Sequence, residues 1–175
     1  MLMKMYRHLL APRIALASAK LAASRHGLRA FRVPAHNMEP SIASGEVARF
    51  RALPRDAGLA RGQMVVVQHD AYGADLVASR VVALAGEVVE IVDGDLLIDG
   101  QRVAEPYVRP ERAEQAYSVG MDAVRVPEHG VWLMGDWRDQ SKDSRHLGPF
   151  MRSAIVGAIV EAHPLGDAAS VRRLR

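Results

Sequence analysis

The side chains able to do acid–base or nucleophilic chemistry gather in three stretches of this chain. Residues 37–46 read NMEPSIASGE, residues 79–87 read SRVVALAGE, and residues 135–148 read GDWRDQSKDSRHLG. A serine hydroxyl becomes a nucleophile only when a base takes its proton, so each serine raises the question of its partner. Ser141, Asp143 and Arg145 alternate along one short segment, and such a Ser-Asp-Arg cluster rigidifies a loop whether or not a base stands beside it. Ser79 and His36 are a second pair of matching chemistry, hydroxyl and imidazole, too far apart in sequence for spacing to show that they meet. Lys142 beside Ser141 reads as an exposed charge. The seven His include no i,i+4 pair, so a His-built metal site is not expected, and the absence of Cys excludes disulfides and thiolate metal sites. No cofactor is expected either.

The elements that must position these residues follow from the hydrophobic pattern. GEVARFRAL alternates Val47, Arg49 and Arg51 against Ala48, Phe50 and Ala52, the period of a half-exposed strand. MVVVQ, SRVVAL, VWLMG and AIVGAIV are short β-branched or apolar runs bounded by turn residues. EVVEIVDGDLLIDGQRV reads as a hairpin, with turns at Asp93-Gly94 and Asp99-Gly100. Residues 105–125 are polar, contain Pro106 and Pro110, and read as a small excursion or loop. These runs predict one mainly β domain over residues 31–162.

Upstream the period is helical. Leu10, Ile14, Ala17, Leu21, Ser24 and Leu28 form one stripe, Pro12 suits a first turn, and residues 1–30 are predicted to be a basic amphipathic helix. All 20 acidic residues lie between 39 and 171, so the excess of base sits in the N-terminal segment and in a basic C-terminal tail over 163–175. The net acidic body argues against nucleic acid as a partner. The N-terminal segment fits a mitochondrial transit peptide, a helix lying on an anionic membrane or against a partner, or a solvated helix on its own domain. No apolar run reaches the length of a transmembrane helix.

The three motif stretches resemble type I signal peptidases, including the mitochondrial inner membrane protease subunits. In that family the first motif runs Ser-Met-x-Pro-Thr-Leu and then Gly-Asp, where this chain has Asn37-Met38-Glu39-Pro40-Ser41-Ile42 and Gly45-Glu46. A Gly-Asp-hydrophobic strand is matched loosely by Gly62-Gln63 and the run Met64 to Val67. The Lys-Arg-Val-Ile-Gly-Leu-Pro-Gly-Asp motif is met by Ser79-Arg80-Val81-Val82-Ala83-Leu84-Ala85-Gly86-Glu87. The last motif is met by Gly135-Asp136-Trp137, Ser141, Asp143-Ser144-Arg145 and Gly148. The resemblance implies antiparallel β-sheets around a shallow groove that binds extended peptide by strand-edge pairing.

It also implies what is missing. The family uses a Ser nucleophile and a neutral Lys base whose pKa burial lowers. Those positions are Asn37 and Ser79 here, a delocalised amide and a hydroxyl that takes no proton at neutral pH. Ser141 and Asp143 match residues that orient the family's Lys, and Arg145 matches the Arg that braces the Asp. Ala35 stands where some members carry a Ser that helps hold the oxyanion. No catalytic residue is therefore expected, with His36 and Ser79 as the weak alternative pair. The expectation is a catalytically inactive, signal-peptidase-like structural or peptide-binding subunit of a membrane complex. Its partners would be other protein subunits or an extended polypeptide, with membrane-surface contact through residues 1–30. The alternative is an active signal or presequence endopeptidase using a rewired site or a catalytic partner subunit. The implied setting is the mitochondrial inner membrane on its intermembrane-space side, or a bacterial inner membrane on its periplasmic face.

Overall fold

The computed structural model describes residues 27–164 and 172–173. Its main sheet is antiparallel throughout. It holds β1 (Leu28–Arg32), β2 (Val47–Ala52), β3 (Met64–Gln68), β4 (Leu76–Ala83), β9 (Gly130–Met134), β10 (Phe150–Met151) and β11 (Ile155–His163) in the order β1-β2-β11-β3-β4-β9-β10. A further strand, β12 (Arg172–Arg173), pairs with β11. The second sheet runs β7-β6-β5-β8, from β5 (Val88–Val92), β6 (Asp95–Ile98), β7 (Gln101–Arg102) and β8 (Met121–Arg125). Two one-turn α-helices, α1 (Ala116–Val119) and α2 (Ser144–Leu147), and four 3-10 turns lie in the connections of the described residues.

The continuous apolar runs are explained by what lies on either side of them. Along β3, Met64 and Val66 pack into one core with Phe31, Met38, Ile42 and Phe50, while Val65 and Val67 pack into another with Val81, Leu133 and Phe150. Successive side chains point to opposite faces, so a strand covered on both faces must be apolar at every position. β9 obeys the same rule. Val131 and Leu133 join the core of Val65, whereas Trp132 and Met134 join Val89, Ile91, Leu96 and Ile98 beneath the second sheet. β2 keeps one wet face, and its predicted alternation is observed as buried Ala48 and Phe50 between less buried Val47, Arg49 and Arg51. The two Asp-Gly turns form as read, with Asp93 at φ 50° and Asp99 at φ 49°.

Three boundaries differ from the sequence expectation. Leu28 to Ala30, placed at the end of the helix over residues 1–30, belong to β1 and pair with Arg51 to Arg49. Gly27 at φ 68° interrupts any helical run before them, and sheet pairing overrides the apolar spacing. Residues 1–26, which carry the rest of the expected helix, lie outside the described residues. The excursion at 105–125 is not all loop, since it contains α1 and β8, and β8 pairs with β5. β8 reads MDAVR, an edge strand with little to bury, so its periodicity is faint. The expected tail at 163–175 starts inside β11, and Arg172 and Arg173 pair with Ala162 and Glu161. Among the described residues, no helix is long and apolar enough to cross a membrane.

Candidate functional site

The fold brings the three motif stretches together through one buried ion pair. Arg80 on β4 gives Nε to Asp136 Oδ1 at 2.7 Å and Nη2 to Asp136 Oδ2 at 2.6 Å, a bidentate pair. Its Nη1 donates to the Gly62 carbonyl at 2.7 Å, and the Ser41 hydroxyl donates to Asp136 Oδ2 at 2.5 Å. One guanidinium thus fastens the loop after β1, the loop before β3 and the end of β9.

Beside this anchor lie Asn37 and Ser79. Asn37 is 7 % exposed, and its Nδ2 donates to the Ala78 carbonyl at 2.8 Å. Its Oδ1 is buried without a hydrogen-bond partner. The Asn37 backbone is held from the other side, where Trp137 N donates to Asn37 O at 2.9 Å. That approach requires glycine at 135, because a Cβ there would overlap Ser141 Oγ and lie 2.6 Å from Asn37 O. Ser79, one residue beyond Ala78, is also buried, and its Oγ donates to the Met134 carbonyl at 3.2 Å. Among the described residues, no imidazole or amine hydrogen-bonds to Asn37 or Ser79. His36 faces elsewhere, with Nδ1 at 2.7 Å from Glu39 Oε1 and its ring edge-on to Trp137. The hydrogen bond from His36 holds the Glu39 carboxyl below its usual range, against a smaller opposing effect of burial. The weak alternative pair is therefore not joined by a hydrogen bond.

The supporting cluster is intact. Asp143 caps α2, accepting Arg145 N on Oδ1 at 3.2 Å, and its Oδ2 accepts Gly135 N at 3.0 Å. Arg145 returns Nε to Oδ1 at 2.9 Å and Nη2 to Oδ2 at 2.8 Å. Ser141 is buried next to Gly135, while Lys142 is exposed and only its carbonyl is engaged, by the Tyr72 hydroxyl at 2.8 Å.

The strand beside Asn37 has an open edge. Val81 exchanges backbone bonds with Gly62 and Gln63 on the β3 side, so by strand alternation Leu76 and Ala78 turn their backbone groups the other way. There β4 pairs with β9 only from Arg80 onward. Among the described residues no strand pairs with the edge at Leu76 and Ala78.

Sequence reasoning did not find the residues that brace this site from the excursion. Arg138 gives Nη2 to Glu105 Oε1 at 2.5 Å and Nε to the Gly135 carbonyl at 3.0 Å. Tyr107 donates to Glu105 at 2.9 Å and places its ring 3.9 Å from the Arg80 guanidinium carbon. Burial, with the Glu105 charge adding to it, raises the Tyr107 phenol well above its ordinary value. Arg112 stands 4.1 Å over the Trp137 ring and 3.3 Å from Glu39 Oε2. Asp139 accepts the N–H groups of Glu114 and Gln115 and the Ser118 hydroxyl. The one available signal was composition, Arg and Tyr in a polar stretch too poor in apolar residues to order itself. Of the two Trp, Trp132 is core and Trp137 is part of this brace. Among the described residues no group of His, Asp and Glu is placed to hold a metal ion.

The family model described as signal peptidase, peptidase S26, matches residues 5–162. A signal peptidase I of Bacillus licheniformis is 33% identical over 129 residues, covering 69% of this chain and 68% of that protein. A signal peptidase I of Bacillus amyloliquefaciens is 33% identical over 153 residues, covering 82% of this chain and 77% of that protein. A protein of Arabidopsis thaliana named probable thylakoidal processing peptidase 2, chloroplastic, is 30% identical over 136 residues, which are 73% of this chain and 36% of that protein. Among solved structures, a signal peptidase I from Enterococcus faecalis matches with a TM-score of 0.49 and 24% identity, over 58% of this chain and 97% of that one.

Proposed function

Because the chain belongs to the signal peptidase family, we propose that it is a member without cleavage chemistry, a structural or peptide-binding subunit of a membrane-associated assembly. The observation that carries this reading is the pair of buried side chains at the dyad positions. Asn37 spends its donor on a backbone carbonyl, and its nitrogen lone pair is delocalised into the amide. Ser79 gives its proton to another carbonyl, which is no base. The braces around them are complete, so what is lost is the reacting pair and not the frame. The edge of β4 at Leu76 and Ala78 supports the peptide-binding form, since no strand pairs with it among the described residues and an added extended segment could do so. The Bacillus signal peptidases that resemble this chain favour a bacterial membrane setting over the mitochondrial inner membrane.

The test is cleavage of a fluorogenic peptide with a small-x-small site. Wild type is compared with Asn37→Ser combined with Ser79→Lys. The expected result is a silent wild type and a double variant that cuts. The Lys introduced at 79 would be desolvated by the core around it and so supply a free amine near neutral pH. Cleavage by wild type that Ser79→Ala abolishes would replace this reading with a rewired enzyme.

A further inference from the structure

We infer that the Asn37 carboxamide is a built-in plug on the open edge of β4, which an extended polypeptide must displace before it pairs there. The inference rests on the peptide-binding form of the reading above. A carbonyl oxygen only accepts, so the side chain must present Nδ2 to Ala78 O, and the 2.8 Å contact fixes the orientation of the amide. A carboxamide has the donor and acceptor of one peptide unit. Its N–H therefore gives Ala78 what the N–H of an added strand would give, and the two compete for that acceptor.

The plug is anchored at its base and loose at its tip. The Asn37 carbonyl is fixed by Trp137 N, and Gly135 allows the close approach behind it. The tip makes one hydrogen bond and leaves Oδ1 buried and unpaired. Swinging the side chain out breaks that single bond and returns both ends of the amide to water, so opening costs no more than the net worth of one hydrogen bond. A serine at 37 would lack the reach to make this bond, so the device depends on the longer carboxamide at this position. The ligand it admits is an extended polypeptide with a free N–H at the position that pairs with Ala78.

The experiment measures binding of a fluorescein-labelled peptide of alternating alanines to the full chain by anisotropy. Removing the plug in Asn37→Ala should tighten binding about tenfold, the worth of one side chain–backbone hydrogen bond. Methylating the peptide nitrogen that pairs with Ala78 should abolish that gain. An unchanged or weaker affinity in Asn37→Ala, with wild type still binding, overturns the plug and leaves peptide binding standing. If neither protein binds at millimolar peptide, the plug and the peptide-binding form fall together, while the loss of cleavage chemistry is judged by the cleavage assay alone. A second readout does not depend on how the variant folds. The Asn37 side-chain amide protons of wild type should exchange slowly in the free chain and rapidly with saturating peptide, and protection that persists in the complex overturns the inference.

Discussion

Replacing Arg80 by Ala strips one side of the ion pair that ties the three motif stretches together. In wild type the guanidinium makes two bonds to Asp136, one to the Gly62 carbonyl and one to the Ser41 hydroxyl, and stacks on Tyr107. Asp136 is 0 % exposed, so the variant leaves a buried carboxylate with the Ser41 hydroxyl as its remaining partner. Breaking one side of such a pair costs about 3–5 kcal/mol, and the lost stacking, worth up to about 2 kcal/mol, overlaps with that figure. We expect a loss of about 4 kcal/mol from a total that for domains of this kind is about 5–15 kcal/mol. With a urea slope of about 2 kcal/mol per M, the unfolding midpoint should fall by about 2 M. The cause assigned is a stranded charge, and that has its own consequence. Adding Asp136→Asn to Arg80→Ala removes the charge, so the double variant should be more stable than Arg80→Ala by about 1–2 kcal/mol. A double variant less stable than Arg80→Ala would refute the reasoning and assign the cost to lost packing.

Further outcomes follow from the same geometry. A Cβ at Gly157 would overlap the Phe50 ring and lie 2.7 Å from Arg51 O, so Gly157→Ala should cost about 3 kcal/mol and lower Tm by about 10 °C in a thermal melt. An unchanged Tm would show that β2 and β11 move apart freely. At Asp139 burial raises the carboxyl pKa, but the bonds from Glu114 N, Gln115 N and Ser118 outweigh it and leave the group below its ordinary value. Its contribution is therefore present above the unfolded pKa and lost as pH falls through the lower folded value. Limited proteolysis within 112–120 should rise in wild type only in that acid range, and in Asp139→Ala already at neutral pH. Equal cleavage of both at neutral pH would remove Asp139 as the clasp of the excursion.

The main strands were legible because each carries its own pattern. β2 shows alternation, β3 and β9 show runs apolar throughout, and the Asp-Gly pairs at 93 and 99 mark turns that need positive φ. The motif spacing was equally legible, and with it the family, because both are statements about residue identity. β1 and β8 were not legible as strands. Both are edge strands whose residues are held by a neighbour's backbone more than by burial of their own side chains.

The brace around the site was hidden for a related reason. Arg138 and Glu105 are separated by 33 residues, Arg112 and Glu39 by 73, and nothing in either segment alone specifies the other. Residue identity and local period specify a mainly β body of the signal peptidase family with Asn37 and Ser79 in its motif stretches. Packing between distant segments sets what those two side chains meet. The Asn37 amide meets the Ala78 carbonyl across 41 residues of chain, a contact made by the packing of a loop against a strand edge and written in no local period.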